Sequence, residues 1–167
     1  MFDSHCHLTD GRFDEDRAAV LDAAFQAGVT RIVTVASNLE DARAAAELAG
    51  SHAELAGSHA ALWSTAGIHP HEVSETEDAD LAAVRELAAT DPRVVAIGET
   101  GLDYFYDHSP RELQRRWFEA QLEVAAELDL PTVIHTREAE DDTIAVLRNA
   151  PESVLKVLHC FTGRMKL

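Results

Sequence analysis

A chain of 167 residues is the size of one domain, or of part of one. Its 46% hydrophobic and 26% charged residues describe a globular protein with a real core, and exclude disordered, collagen-like and coiled-coil classes. The net charge of −16, from 30 acidic against 14 basic residues, excludes a surface that attracts anionic membranes or long nucleic acid on its own. Any phosphodiester substrate would need a local attractor, and a metal ion is the obvious source. No apolar run approaches the roughly 20 residues of a membrane span. The start, MFDSHCH, lacks the basic and apolar segments of a signal peptide, so a cytoplasmic location is expected.

In chain order, Met1–His7 is a short first strand. Asp14–Ala27 has helical spacing through Ala18, Leu21 and Phe25, with Gly28 as its stop. Arg31–Ala36 is a β-branched run of buried-strand type, and Ser37 with Glu40 suggests a capping box for the next helix. There AELAGSH at Ala46–His52 repeats letter for letter at Ala53–His59, a duplication that lengthens a helix or loops out. His52 and His59 are then copies of one surface residue.

Leu62–Ile68 is a third strand, Leu81–Ala89 a helix ended by Asp91-Pro92, and Val94–Gly98 a fourth strand. Ser109-Pro110-Arg111-Glu112 predicts Ser109 as N-cap of a helix that runs to about Asp129. Thr132–His135 is a fifth strand, Thr143–Arg148 a short helix and Val154–His159 a sixth strand. This alternation implies βαβ units on a parallel sheet. Periodicity alone leaves a doubly wound sheet and an unfinished (β/α)8 barrel both open.

Six of the nine histidines fall at or just past predicted strand ends, where parallel α/β folds gather their chemistry. His5 and His7 are two apart on extended chain, so both imidazoles face one side. With His135 and His159, ending strands five and six, they suit a divalent metal. Glu99, in AIGETGLD, follows an apolar strand between glycines; its two oxygens can bridge two cations, and burying it unpaired would be costly.

His69 and His71 lie on a turn shaped by Gly67 and Pro70, and a substrate or phosphate contact is the favoured reading, with ligand or structural roles open. Asp103 reads equally as a partner behind a ligand or as a loop turn. His108 reads as a solvated loop residue. Arg137 reads as a phosphate contact or a salt-bridge partner. Cys6 and Cys160 each follow a ligand candidate; alternation along a strand turns both thiols into packing rather than into a disulfide.

MFDSHCHL, AGIHPHE, AIGETGLDYF, VIHTREAEDDT and VLHCFTG, in that order, resemble the TatD family of metal-dependent hydrolases across the whole chain apart from the duplication. The resemblance implies α/β architecture as a (β/α)8 TIM barrel, here incomplete and covering about the first six units, within a single hydrolase domain spanning 1–167. It implies a two-metal, water-activating phosphodiester hydrolase: a 3′→5′ exodeoxyribonuclease acting on single-stranded DNA or 3′ ends. His5 and His7 would hold one divalent metal, Glu99 would bridge, and His135 and His159 would hold the second. The family suggests Mg²⁺, while imidazole ligation suits Zn²⁺ or Mn²⁺.

A full barrel needs about 250 residues, and the family's last catalytic aspartate comes from an eighth strand that has no counterpart here. Gly163–Leu167 carries no strand or cap signal. The 167-residue chain is therefore expected to lack C-terminal units, to be weakly stable and to be nearly inactive alone. Two alternatives stand beside the nuclease: hydrolysis of another ester or amide, and an inactive metal-binding fragment that pairs with a partner chain of unknown identity.

Overall fold

The computed structural model describes residues 1–53 and 61–161. Among these, strands and α-helices alternate: β1 (Phe2–Cys6), α1 (Arg17–Gln26), β2 (Arg31–Thr34), α2 (Leu39–Ala53), β3 (Ala61–Ala66), α3 (Asp78–Thr90), β4 (Val94–Asp103), α4 (Arg111–Leu128), β5 (Thr132–Arg137), α5 (Glu140–Asn149) and β6 (Lys156–Leu158). The strands form one parallel sheet in chain order, β1-β2-β3-β4-β5-β6. The sheet curls. His5 lies on one edge strand and His159 just past the other, yet their rings stack with centroids 3.3 Å apart. A chain-ordered parallel sheet that bends its two edges toward each other is a partial (β/α)8 barrel, as expected.

Helix α4 shows how the pattern drives packing. Trp117, Phe118, Leu122, Val124 and Ala125 recur on one face and are buried against β4 and its neighbours. Fully burying a side chain such as Phe118 or Leu122 contributes roughly 1.5–3 kcal/mol. A smaller cluster of Leu8, Leu21, Ile32, Ala49 and Leu62 holds α1 and α2 against the first strands.

Several helix starts differ from expectation for a physical reason. At α2 the caps are Asn38 and Asp41 rather than Ser37 and Glu40: Asn38 Oδ1 accepts from Asp41 N–H at 3.0 Å, and Asp41 accepts from Ser37 N–H at 2.8 Å. At α4 the N-cap is Pro110, because the Ser109 hydroxyl is used across the loop, where it donates to the His71 carbonyl and accepts from Ser74 N–H. Strand β4 runs past the predicted Gly98 to Asp103, and β5 past His135 to Arg137. Cys6 is partly buried, its thiol at 3.5 Å from the Val33 carbonyl, but Cys160 is exposed, at a turn with φ of 42° rather than on a strand. The first AELAGSH copy continues α2; the second falls largely, and Gly163–Leu167 wholly, outside the described residues.

Candidate metal centre

Two one-residue bulges aim the central side chains. On β4, three steps from Ile97 to Thr100 face two steps from Thr132 to Ile134; on β1, three steps from Asp3 to Cys6 face two from Ile32 to Thr34. A bulge redirects the side chains it carries. Here the redirected residues are Glu99 and His5, which meet with Oε2 and Nε2 3.2 Å apart. Gly98 and Gly101 flank Glu99 with φ of +133° and +134°. A Cβ at Gly98 would lie 2.5 Å from the Val133 carbonyl oxygen, and one at Gly101 would overlap that of His135, so only glycine lets β4 lie this close to β5.

Glu99 is 2% exposed. Among the described residues its side chain meets only imidazoles: His135 Nδ1 at 3.0 Å, His5 Nε2 at 3.2 Å, His7 Nε2 at 3.8 Å and His69 Nε2 at 4.0 Å. Burial pushes its carboxyl up, but His135, His5 and His69 outweigh burial and hold it well below the usual range. No fixed cation of Lys or Arg reaches it among the described residues.

The histidines are not equivalent. His7 Nδ1 lies 2.9 Å from the Val35 carbonyl, an acceptor only, so Nδ1 carries the proton and Nε2 turns a lone pair toward Glu99. His135 is held between two carboxylates: Nε2 lies 3.0 Å from Asp103 Oδ2, and Nδ1 lies 3.0 Å from Glu99 Oε1. An outer nitrogen held by a carbonyl or carboxylate, with the inner nitrogen free, is how proteins orient metal-ligating imidazoles. Burial pulls His135 down, but Glu99 and Asp103 outweigh it and hold the ring above its ordinary pKa.

His5 Nε2 lies 3.3 Å from His7 Nε2, while His5 Nδ1 is buried without a hydrogen-bond partner. His5, His7 and Glu99 offer atoms that all lie within 4.8 Å of one another, as do His69, Glu99 and His135. The first of these sets, with a buried carboxylate short of positive charge, fits a divalent cation.

His159 stacks on His5, and burial followed by repulsion from His5 pushes its pKa down. In the cluster on the His135 side the third member is His69, not His159. His69 Nδ1 accepts from His71 N–H at 3.2 Å, which leaves the proton on Nε2, facing Glu99. Burial drives His69 down to about 3, with His135 and His71 adding to it, so it is a neutral donor at pH 7. His71 Nε2 donates to Asp103 Oδ2 at 3.0 Å. A cleft of about 430 Å³ opens over these groups, lined by His7, Asp10, Asn38, His69, His71 and Glu99 among others.

Asp103 joins the two readings left open for it. It is fully buried, one oxygen taking both His71 and His135, the other taking the N–H groups of Phe105 at 3.0 Å and Tyr106 at 2.8 Å. Burial raises its carboxyl, but Tyr106 N–H, His71 and His135 outweigh it and hold it low. His108 is exposed. Arg137 is exposed too and makes no salt bridge among the described residues: its guanidinium lies over the rings of Phe105 and Tyr106.

Two residues beneath the site escaped sequence reasoning. Gln114 accepts from Asp103 N–H at 2.8 Å and donates to the Asp103 and Ser109 carbonyls; Gln121 accepts from Ile68 N–H at 2.8 Å and donates to the Ile68 carbonyl and the Thr100 hydroxyl. Both are fully buried on α4. Their signal was available: polar residues at core positions of an apolar helical face.

A partial parallel α/β barrel whose strand ends converge histidines on a buried carboxylate has the architecture of a metal-dependent hydrolase. The sequence profile of the family described as TatD related DNase matches residues 2–167, and the chain belongs to that family. It is similar to the 3′-5′ ssDNA/RNA exonuclease TatD of Musicola paradisiaca, 43% identical over 98% of this chain and 60% of that protein. It is also similar to the uncharacterized metal-dependent hydrolase YabD of Bacillus subtilis, 35% identical over 98% of this chain and 61% of that protein. The crystal structure of YjjV, a TatD homolog from Escherichia coli, superposes with a TM-score of 0.86 at 31% identity, covering 98% of this chain and 61% of that one. The chain thus spans about 60% of the length of the curated relatives it matches. No helix among the described residues is long and apolar enough to cross a membrane.

Proposed function

We propose that this chain carries the metal-binding part of a phosphodiester hydrolase acting in the 3′→5′ direction on single-stranded DNA. The observation that carries the reading is the paired orientation of His7 and His135, each held on its outer nitrogen by a carbonyl or carboxylate and turned toward Glu99 on its inner one. His5, His7 and Glu99 would hold one divalent cation; Glu99 and His135 would hold the second, with His159 the further ligand that the family resemblance implies. Such cations, when bound, supply Lewis-acid activation of water and neutralise phosphate charge.

The chain's own residues do the rest. Glu99, kept ionised, would be the ligand shared by both cations. Asp103 accepts from His135 Nε2 and so would leave Nδ1 for ligation. Neutral His69, with its proton on Nε2, donates to a non-bridging phosphate oxygen without competing for a cation. His71, pinned by Asp103, lines the same cleft. Single-stranded DNA enters the reading from the names of the relatives, and a charge of −16 demands that attraction be concentrated at this mouth.

The test is a substrate panel with Mg²⁺, Mn²⁺ or Zn²⁺: single-stranded and duplex DNA, a dinucleotide, an amide and a carboxylic ester. Stepwise shortening of single strands from the 3′ end, abolished by chelation, is the expected result. Turnover of the amide or ester alone would move the substrate class. Metal binding without turnover of any substrate would leave a binding fragment.

A further inference from the structure

Resting on the nucleic-acid reading above, we propose that Phe105, Tyr106 and Arg137 form a stacking platform for an unpaired nucleobase, with the Arg137 guanidinium taking an adjoining phosphate. Phe105 and Tyr106 are each 50% exposed, an unusual pair of large aromatics to leave in water side by side. Their rings meet edge to face at 4.8 Å, and the Arg137 guanidinium sits 4.2 Å from the Phe105 centroid and 4.8 Å from that of Tyr106. The face of Tyr106 is also parallel to His108 within 3°, at 5.7 Å between centroids. Planar groups packed in this way are what single-stranded nucleic acid uses for stacking, because every base offers a π-face.

Charge and position select this ligand over an apolar one. In a chain of net charge −16, no carboxylate among the described residues lies within ion-pairing distance of Arg137, whereas Arg111 and Arg115 nearby are both neutralised, by Asp107 and Asp142. Arg137 therefore offers an unspent cation at the C-terminal end of β5. It lies two residues beyond His135 on β5, on the same face of the strand. Asp103 fixes the distance from platform to cleft: the carboxylate that orients His135 and His71 also accepts the N–H groups of Phe105 and Tyr106. A strand end whose phosphate reaches the cleft thus finds rings for a base and a guanidinium for the next phosphate, on a loop tied to the ligand candidates.

The probe is a single-stranded oligonucleotide with 2-aminopurine as its 3′-terminal base and a phosphorothioate at its last linkage, compared with the same strand ending in an abasic site. The unaltered chain with Mg²⁺ should quench the fluorophore and bind the base-bearing strand about ten-fold more tightly than the abasic one. Tyr106→Ala should remove that ten-fold difference and the quenching, while Tyr106→Phe retains both. Arg137→Ala should lower the slope of log affinity against log salt by about 0.7, one phosphate's share on a single strand. In each variant the rise in melting temperature with Mn²⁺ should match the unaltered chain, separating lost stacking from lost fold or metal. Equal binding of base-bearing and abasic strands, or unchanged quenching in Tyr106→Ala, overturns the platform and leaves the nuclease reading standing. Failure of the unaltered chain to bind either strand overturns both.

Discussion

Glu99 and Asp103 stand four residues apart on one strand, both buried, and live in opposite circumstances. Asp103 is provided for by the fold: two backbone N–H groups and two imidazole protons satisfy it. Among the described residues the Glu99 side chain meets only imidazoles, and one of them, His7, turns a lone pair rather than a proton toward it. The outer carboxylate is a finished hydrogen-bonding hub, whereas the inner one is built to be completed by positive charge from outside the chain. The lesson is that equal burial of two acids says little until the protons around each are assigned.

The largest expected effect comes from the inner acid. Glu99→Gln should weaken divalent-cation binding by more than about 100-fold, exceeding the usual cost of losing a residue behind a ligand. Thermal unfolding with and without Mn²⁺ reads this directly, since the cation-dependent stabilisation should vanish. An undiminished Mn²⁺ effect would break the distinction between the two acids.

Asp103→Asn should act more moderately on the metal and additionally on the fold. Cation affinity should fall about 10–100-fold as His135 loses the acceptor that sets its tautomer. The metal-free chain should also lose about 1–3 kcal/mol, because the Phe105 and Tyr106 N–H groups lose a charged acceptor. Denaturant unfolding in chelator, beside metal titration, separates the two effects.

A smaller effect sharpens the picture of the outer end. The Tyr104 hydroxyl donates to Asp142 at 2.6 Å, and burial together with Asp142 pushes its pKa up to about 12. The folded state thus holds the phenol proton more tightly than the unfolded chain, whose tyrosine titrates near 10. The stability this contributes is complete below pH 10 and is lost as pH rises toward 12. Tyr104→Phe should flatten that alkaline loss, as followed by unfolding across the same range.

The order of units was readable because most strands are apolar or β-branched runs and most helices have an apolar stripe. The ends were less so, for local reasons. Gly101 looks like a loop residue in sequence; like Gly98, it is a strand residue at positive φ because β5 passes too close for any Cβ. Ser109 has the chemistry of a cap but spends its hydroxyl on the loop that carries His71. The histidines and Glu99 stood out by their places at strand ends. The proximity of His69 rather than His159 to the His135 side depends on how far the sheet bends, which strand-end spacing does not encode. Gln114 and Gln121 were hidden because a glutamine on a helix is ordinarily a surface residue.

The stack of His5 on His159 has a kinetic meaning. These two rings come from opposite ends of almost the whole described chain, so the pocket around Glu99 has very high contact order. Loop-closure entropy for that contact is met only after the intervening units are in place. High-affinity cation capture should therefore be among the last events of refolding, a time-resolved report on when the curved sheet has brought its two margins together.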